Sequence, residues 1–219
     1  MKTSTLTPGL SHYLQGTVAA TAAAVVLMEI LGARMLTPLV GSLAAVWAGQ
    51  ALTLVIALAA GLGLGSWMVN HRQGVDWLFR LILLGACWLV VSVNFRAPLI
   101  AAAQSFGIAG GSLLASFSLF FIPLALLIAT IPMASRFLTG KNDIAGKSAL
   151  RVFGWASAGA VFGAFVTGLV MITQARDAVA LMSASVVLEA VVAVYMMTWS
   201  RPSRKATPAH SMLINMRHA

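Results

Sequence analysis

The chain has 219 residues, of which 60% are hydrophobic and only 9% charged, with a mean hydropathy of +0.93. Soluble domains average about 25% charged residues, so a water-soluble globular fold is excluded and the bilayer is the expected solvent. The net charge of +9 invites a nucleic-acid role, but the basic residues lie in loops and tails between apolar runs. They read as topology signals, and no nucleic-acid partner is expected.

Hydrocarbon offers the backbone no hydrogen-bond partner, so only helices or a closed barrel can span it. The apolar runs are about 20 residues long and do not alternate as barrel strands of about 10 residues would. The predicted fold is an all-α polytopic membrane protein of six transmembrane helices, with a short extra apolar segment between the third and fourth. Residues 1–16 form a polar cytoplasmic head, and residues 17–200 one six-helix membrane domain. The first span covers about residues 17–36. Its alanine-rich start is similar to a signal peptide, but the apolar run continues past any small-residue cleavage site, and an uncleaved helix is expected.

The second span, about residues 43–69, closes on Gly61-Leu-Gly-Leu-Gly-Ser66. A phosphate-binding glycine loop needs a strand before it and a helix after it. Inside an apolar helix, Gly61 and Gly65 read instead as close-packing positions. A polar turn at 71–76 leads to the third span, 77–94, which Arg96-Ala-Pro98 breaks. Residues 99–107 are too short to cross and read as re-entrant or interfacial. The fourth span, 111–131, ends at Pro132, and Pro123 inside it predicts a kink. A polar loop at 136–151 precedes the fifth span, 152–173, where Gly159 and Gly163 form a small-residue packing face. A tight turn at 174–177 leads to the sixth span, 178–199. The basic tail, 201–219, is expected to lack fixed structure.

Six spans put Lys2, Arg72, Arg80, Arg136, Lys141, Lys147, Arg151, Arg201, Arg204, Lys205 and Arg217 on one side, and Arg34, Arg96 and Arg176 on the other. That asymmetry predicts both termini in the cytoplasm, and Trp67, Trp77, Trp155 and Trp199 fall near the same ends, as an interfacial belt would.

Four polar residues interrupt the apolar spans. Charges at membrane depth are costly, so such residues are paired, water-facing or functional. Glu29 and Arg34 are five apart and would point about 140° apart on a continuous helix, since each residue turns about 100°. A direct pair would need the helix to unwind at Gly32. Two readings are open: each satisfies a neighbouring helix, or together they form a site for a cationic or zwitterionic molecule. Glu189 reads as a carboxyl hydrogen-bonded to another helix, or as a proton or amine site. With spans as above, Glu29 and Glu189 lie roughly 18 and 15 Å from the cytoplasmic ends of their helices at about 1.5 Å per residue. Gln50 enters to a similar level from the other side. Glu29, Gln50 and Glu189 are thus expected to share a polar layer, with Arg34 beside it. His12, His71, His210 and His218 lack ligand spacing, so no metal is expected, and no cofactor or nucleophilic constellation is visible. Cys87 is the single cysteine, so no intramolecular disulfide forms.

Glu29-Ile-Leu-Gly-Ala-Arg34-Met-Leu-Thr-Pro38 followed by Gly41-Ser42, the glycine run ending at Ser66, Ile131-Pro132 followed by Arg136, and the glycines from Gly154 to Gly168 occur in an order and spacing with a precedent. They resemble the membrane domain of the spermidine synthase-like, or fused transporter/spermidine synthase, family over about residues 17–199. One difference is Trp155-Ala-Ser157, where that family would be expected to carry a tyrosine. The resemblance implies a bacterial inner-membrane location and a link to polyamines. The family's soluble domain, with its acidic, glycine-rich site for the aminopropyl donor, has no counterpart among these residues, so no aminopropyltransferase activity is expected. Two functions follow as expectations. The first is a non-catalytic membrane subunit that anchors or regulates a separate cytoplasmic or membrane partner. The second is a carrier or channel for a small cationic molecule, using Glu29, Arg34 and Glu189. Lipid is the expected surrounding, and a homo-oligomer is compatible with either.

Overall fold

The structure, a computed structural model, describes residues 7–71, 74–139, 146–173 and 176–199. Among these residues it contains eight α-helices and no strand: α1 (Pro8–Val40), α2 (Leu43–His71), α3 (Val75–Asn94), α4 (Arg96–Gln104), α5 (Gly107–Ile128), α6 (Thr130–Leu138), α7 (Lys147–Ile172) and α8 (Asp177–Thr198). Six stretches are long and apolar enough to cross a membrane, with α5 and α6 counted together as Gly107–Leu138. The protein is an all-α polytopic membrane protein.

α1 begins earlier than its composition suggests. Pro8 opens it, where the missing N–H is one that a helix start leaves unpaired anyway. The polar head expected over residues 1–16 is, from Pro8 on, the first turns of this helix. Leu10, Tyr13 and Leu14 recur at helical spacing among polar residues and pack into the core, with Leu14 fully buried. A hydropathy window averages that stripe away. At the other end Gly41 adopts φ 82°, and its N–H closes the helix on the Thr37 carbonyl. A left-handed residue favours glycine there because it has no Cβ.

α4 is the short apolar segment. Its nine residues reach only about 13 Å, and it lays Ile100 and Ala103 against the bundle. Pro98 is tolerated within its first turn. The helix stays continuous at Pro123, the position of the expected kink. α5 runs through Pro123 and gives way to α6 at Ala129. Pro132 explains the position, because a proline ring crowds the carbonyl four residues earlier, here that of Ile128. The centre of the expected polar loop (140–145), residues 72–73 and 174–175, and the basic tail lie outside the described residues.

Two parallel seams hold the bundle together. A Cβ placed on Gly61 would stand 2.6 Å from the Ala125 carbonyl oxygen, one on Gly49 would stand 3.0 Å from the Ser112 backbone, and one on Gly65 would collide with the Ala129 carbonyl. The partner numbers rise together, so α2 and α5 run the same way. On the other side Gly159 sits against the Ala19 carbonyl, and a Cβ on Gly163 would stand 2.6 Å from that of Ala23. α7 is therefore parallel to α1. Lipid gives apolar helices no net drive to associate, so such backbone contact supplies the attraction.

α8 runs antiparallel to α1 and α3, pinned at one end by an aromatic cluster. Phe79 stacks on Tyr195 at 3.8 Å between centroids, and Tyr13 packs on Trp199 at 5.0 Å. The Tyr195 hydroxyl donates to Asp76 Oδ1 at 2.6 Å, and the Tyr13 hydroxyl donates to the Val191 carbonyl.

The seams make a direct prediction. Gly163→Leu should lower stability by about 1–3 kcal/mol or more, as overpacking does, and depress the melting temperature in detergent by several degrees. Gly154→Leu, where nothing lies within 4 Å of the added Cβ, should leave it nearly unchanged. Equal melting of the two variants would contradict the α1–α7 seam.

Candidate functional site

The tight turn at Gly41 and Ser42 folds α2 back along α1. This places Gln50 across the residue 28–32 turn, where its Nε2 donates to the Met28 carbonyl at 3.3 Å. Gly32 makes the approach possible: a Cβ there would stand 3.1 Å from Gln50 Nε2 and 2.8 Å from the Phe120 ring. α5 completes the level. Ser112 touches Gly49, Phe120 covers Gly32, and Ser116 lies one turn from each on the same face. Gln50 and Ser116 are fully buried, and Glu29 is half-buried.

Three oxygens in this region have no hydrogen-bond partner: Glu29 Oε1, Gln50 Oε1 and Ser116 Oγ. The contrast with their neighbours is informative. Thr53 donates to the Gly49 carbonyl at 2.8 Å, Ser112 to that of Ile108 at 2.7 Å and Thr130 to that of Leu127 at 2.6 Å. Buried hydroxyls in this bundle ordinarily return to their own helix, and Ser116 does not. Since Gln50 spends its amide N–H on Met28, its oxygen is the atom left over. Unpartnered buried polar atoms each cost about 1–3 kcal/mol, and Glu29, Gln50 and Ser116 each keep an oxygen free to accept from a donor.

Arg34 belongs to a different contact. α1 stays helical through Gly32, so Arg34 turns away from Glu29, and its Nε lies 3.5 Å from Asp177 Oδ2 at the start of α8. The side chains are 35% and 16% exposed, so the pair is partly shielded. Arg34 Nη1 and Asp177 Oδ1 remain without hydrogen bonds.

Glu189 is half-buried on α8 and makes no hydrogen bond or ion pair among the described residues. The antiparallel pairing of α1 with α8, with Arg34 opposite Asp177 and Tyr13 opposite Trp199, sets its level near residues 22–23 of α1. That is some six to seven residues, or about 9–11 Å, from Glu29. The polar layer expected of Glu29, Gln50 and Glu189 therefore joins only the first two. The reason is the long α1: counted from Pro8 and not from residue 17, Glu29 sits deeper than Glu189. The packing glycines Gly61, Gly65, Gly159 and Gly163 lie in the two seams.

Asp177 and Ser116 were missed in the sequence. Asp177 had a usable signal, since the charge count already sets Arg34 and the 174–177 turn on the same side of the membrane. Ser116 had none, because one serine in an apolar helix is unremarkable until its neighbours are known. No group of three or more metal-ligating side chains occurs among the described residues.

Comparison with known proteins returned no matching family model, no matching curated protein and no matching solved structure.

The Arg34–Asp177 pair is open to a double-mutant cycle in thermal unfolding. Arg34→Gln should destabilise by about 1–3 kcal/mol, the range for stranding a partly buried charged partner, and Asp177→Asn by a similar amount. The double variant should lose less than the sum. Strict additivity would show that the pair contributes nothing.

Proposed function

We propose that this chain is a bacterial inner-membrane protein of the transporter type, which binds a small organic cation, a protonated amine, at Glu29, Gln50 and Ser116. The observation that carries the reading is the set of three unpartnered oxygens inside the bundle. An ammonium group offers up to three N–H donors and a positive charge. A carboxylate oxygen, an amide oxygen and a hydroxyl oxygen answer both needs. A buried carboxylate is costly when alone and is stabilised by an opposite charge. The resemblance to the spermidine synthase-like membrane domain supports the same chemistry, because polyamines are protonated amines. The reading as a non-catalytic subunit that anchors a partner draws on that resemblance alone, and stands second.

Radiolabelled spermidine and methylammonium uptake into proteoliposomes tests the proposal. Glu29→Gln should reduce uptake at least about tenfold, as loss of a charged hydrogen bond does, while Glu189→Gln should stay within a factor of two. Undiminished uptake with Glu29→Gln, or no uptake by the unaltered protein, would refute it.

The proposed orientation has both termini in the cytoplasm, supported by the basic-residue asymmetry. Reporter fusions at Gly140 and Ala219 should read cytoplasmic, and one at Arg176 periplasmic. An external signal at Ala219 would overturn the orientation.

A further inference from the structure

α7 and α8 both pack on α1 and leave a lateral groove of about 530 Å³ between them. Ala19 and Ala23 of α1 form its floor, Ala158 and Phe162 one wall, and Ala184 and Val187 the other. Phe162 is 64% exposed and Val187 57% exposed, so the groove opens sideways. Along α7 it extends from Trp155 to Val170, about 22 Å at 1.5 Å per residue. That exceeds the depth of one leaflet's hydrocarbon, roughly 15 Å. A groove this apolar, inside a bilayer, fills with hydrocarbon.

Its two ends are not equivalent. Trp155 lies at one end, and Arg151 and Lys147 precede it at intervals of four residues, on the same face of α7. Arg151 is exposed, and α7 carries no acidic residue. A tryptophan at the rim with basic residues just beyond it is the arrangement found at a headgroup level. The geometry points to a bound anionic phospholipid: one acyl chain lies along α1 between α7 and α8, and the phosphate-bearing headgroup meets Arg151 and Lys147. This goes beyond the amine site, with which it shares only α1 and from which it differs in polarity and ligand charge.

Native mass spectrometry of the full chain in detergent tests the inference with two probes, dioleoyl-phosphatidylglycerol and dioleoyl-phosphatidylcholine. The unaltered protein should retain phosphatidylglycerol about tenfold better, given the attraction of basic residues near a surface for anionic lipid. The double variant Lys147→Gln/Arg151→Gln changes residues at the end of a helix and should keep its fold while losing the preference. Ala158→Phe should fill the groove and reduce retention of both lipids, with an unchanged melting curve as its folding control. Equal retention of the two lipids by the unaltered protein, a preference that survives the double variant, or a lipid-free dimer as the main species would overturn the inference.

Discussion

Backbone contact across two parallel seams is the constraint on which the rest of this bundle depends. Helices in lipid gain little from hiding apolar surface, because the surrounding chains are equally apolar. What draws α7 onto α1 and α5 onto α2 is close van der Waals approach, and glycines permit it at Gly159, Gly163, Gly61 and Gly65. The seams also set the relative height of each helix. Gly49 against Ser112 places α5 so that Phe120 falls beside Gly32 and Gln50, with Ser116 one turn away on the same face. A side chain at any of these positions would shift that register, and the polar atoms with it.

Within that frame the polar residues divide into two groups with different physics. Arg34 and Asp177 form an ion pair between α1 and α8, partly open at 35% and 16% exposure. Exposed pairs contribute about 0–1 kcal/mol and buried ones more when one partner is removed, so this pair fastens α8 without dominating stability. Tyr195 and Asp76 fasten the other end of α8. Glu29, Gln50 and Ser116 do not satisfy one another's oxygens. Three unsatisfied atoms are expensive against a net stability of about 5–15 kcal/mol, a cost that the proposed amine would offset.

The fold class was legible in the sequence because it follows from run length. Four of the six spans begin and end within a few residues of their expected limits, and the fourth runs on through α6 to Leu138. The exception at the start is α1, where Tyr13 and Leu14 sit among polar residues and lower the local hydropathy. That error propagated: it placed Glu29 too shallow and so put Glu189 at its level. The packing role of Gly159 and Gly163 was readable from their spacing of four. The partner of Arg34 was not deduced, because a contact between residues 34 and 177 depends on which helices become neighbours. Ser116 is silent in the sequence for the same reason.

Thermal-shift titration tests the central claim that Glu29, Gln50 and Ser116 form a ligand site. Purified protein in detergent is melted against rising concentrations of spermidine and methylammonium, alongside Glu29→Gln and Gln50→Leu. A ligand that binds the folded state at one site stabilises it by about 2.7 kcal/mol at a hundred times its dissociation constant. The account predicts a saturable rise in melting temperature for at least one of the two amines, absent in Glu29→Gln and reduced in Gln50→Leu. A flat titration with both, or an identical rise in Glu29→Gln, would contradict it.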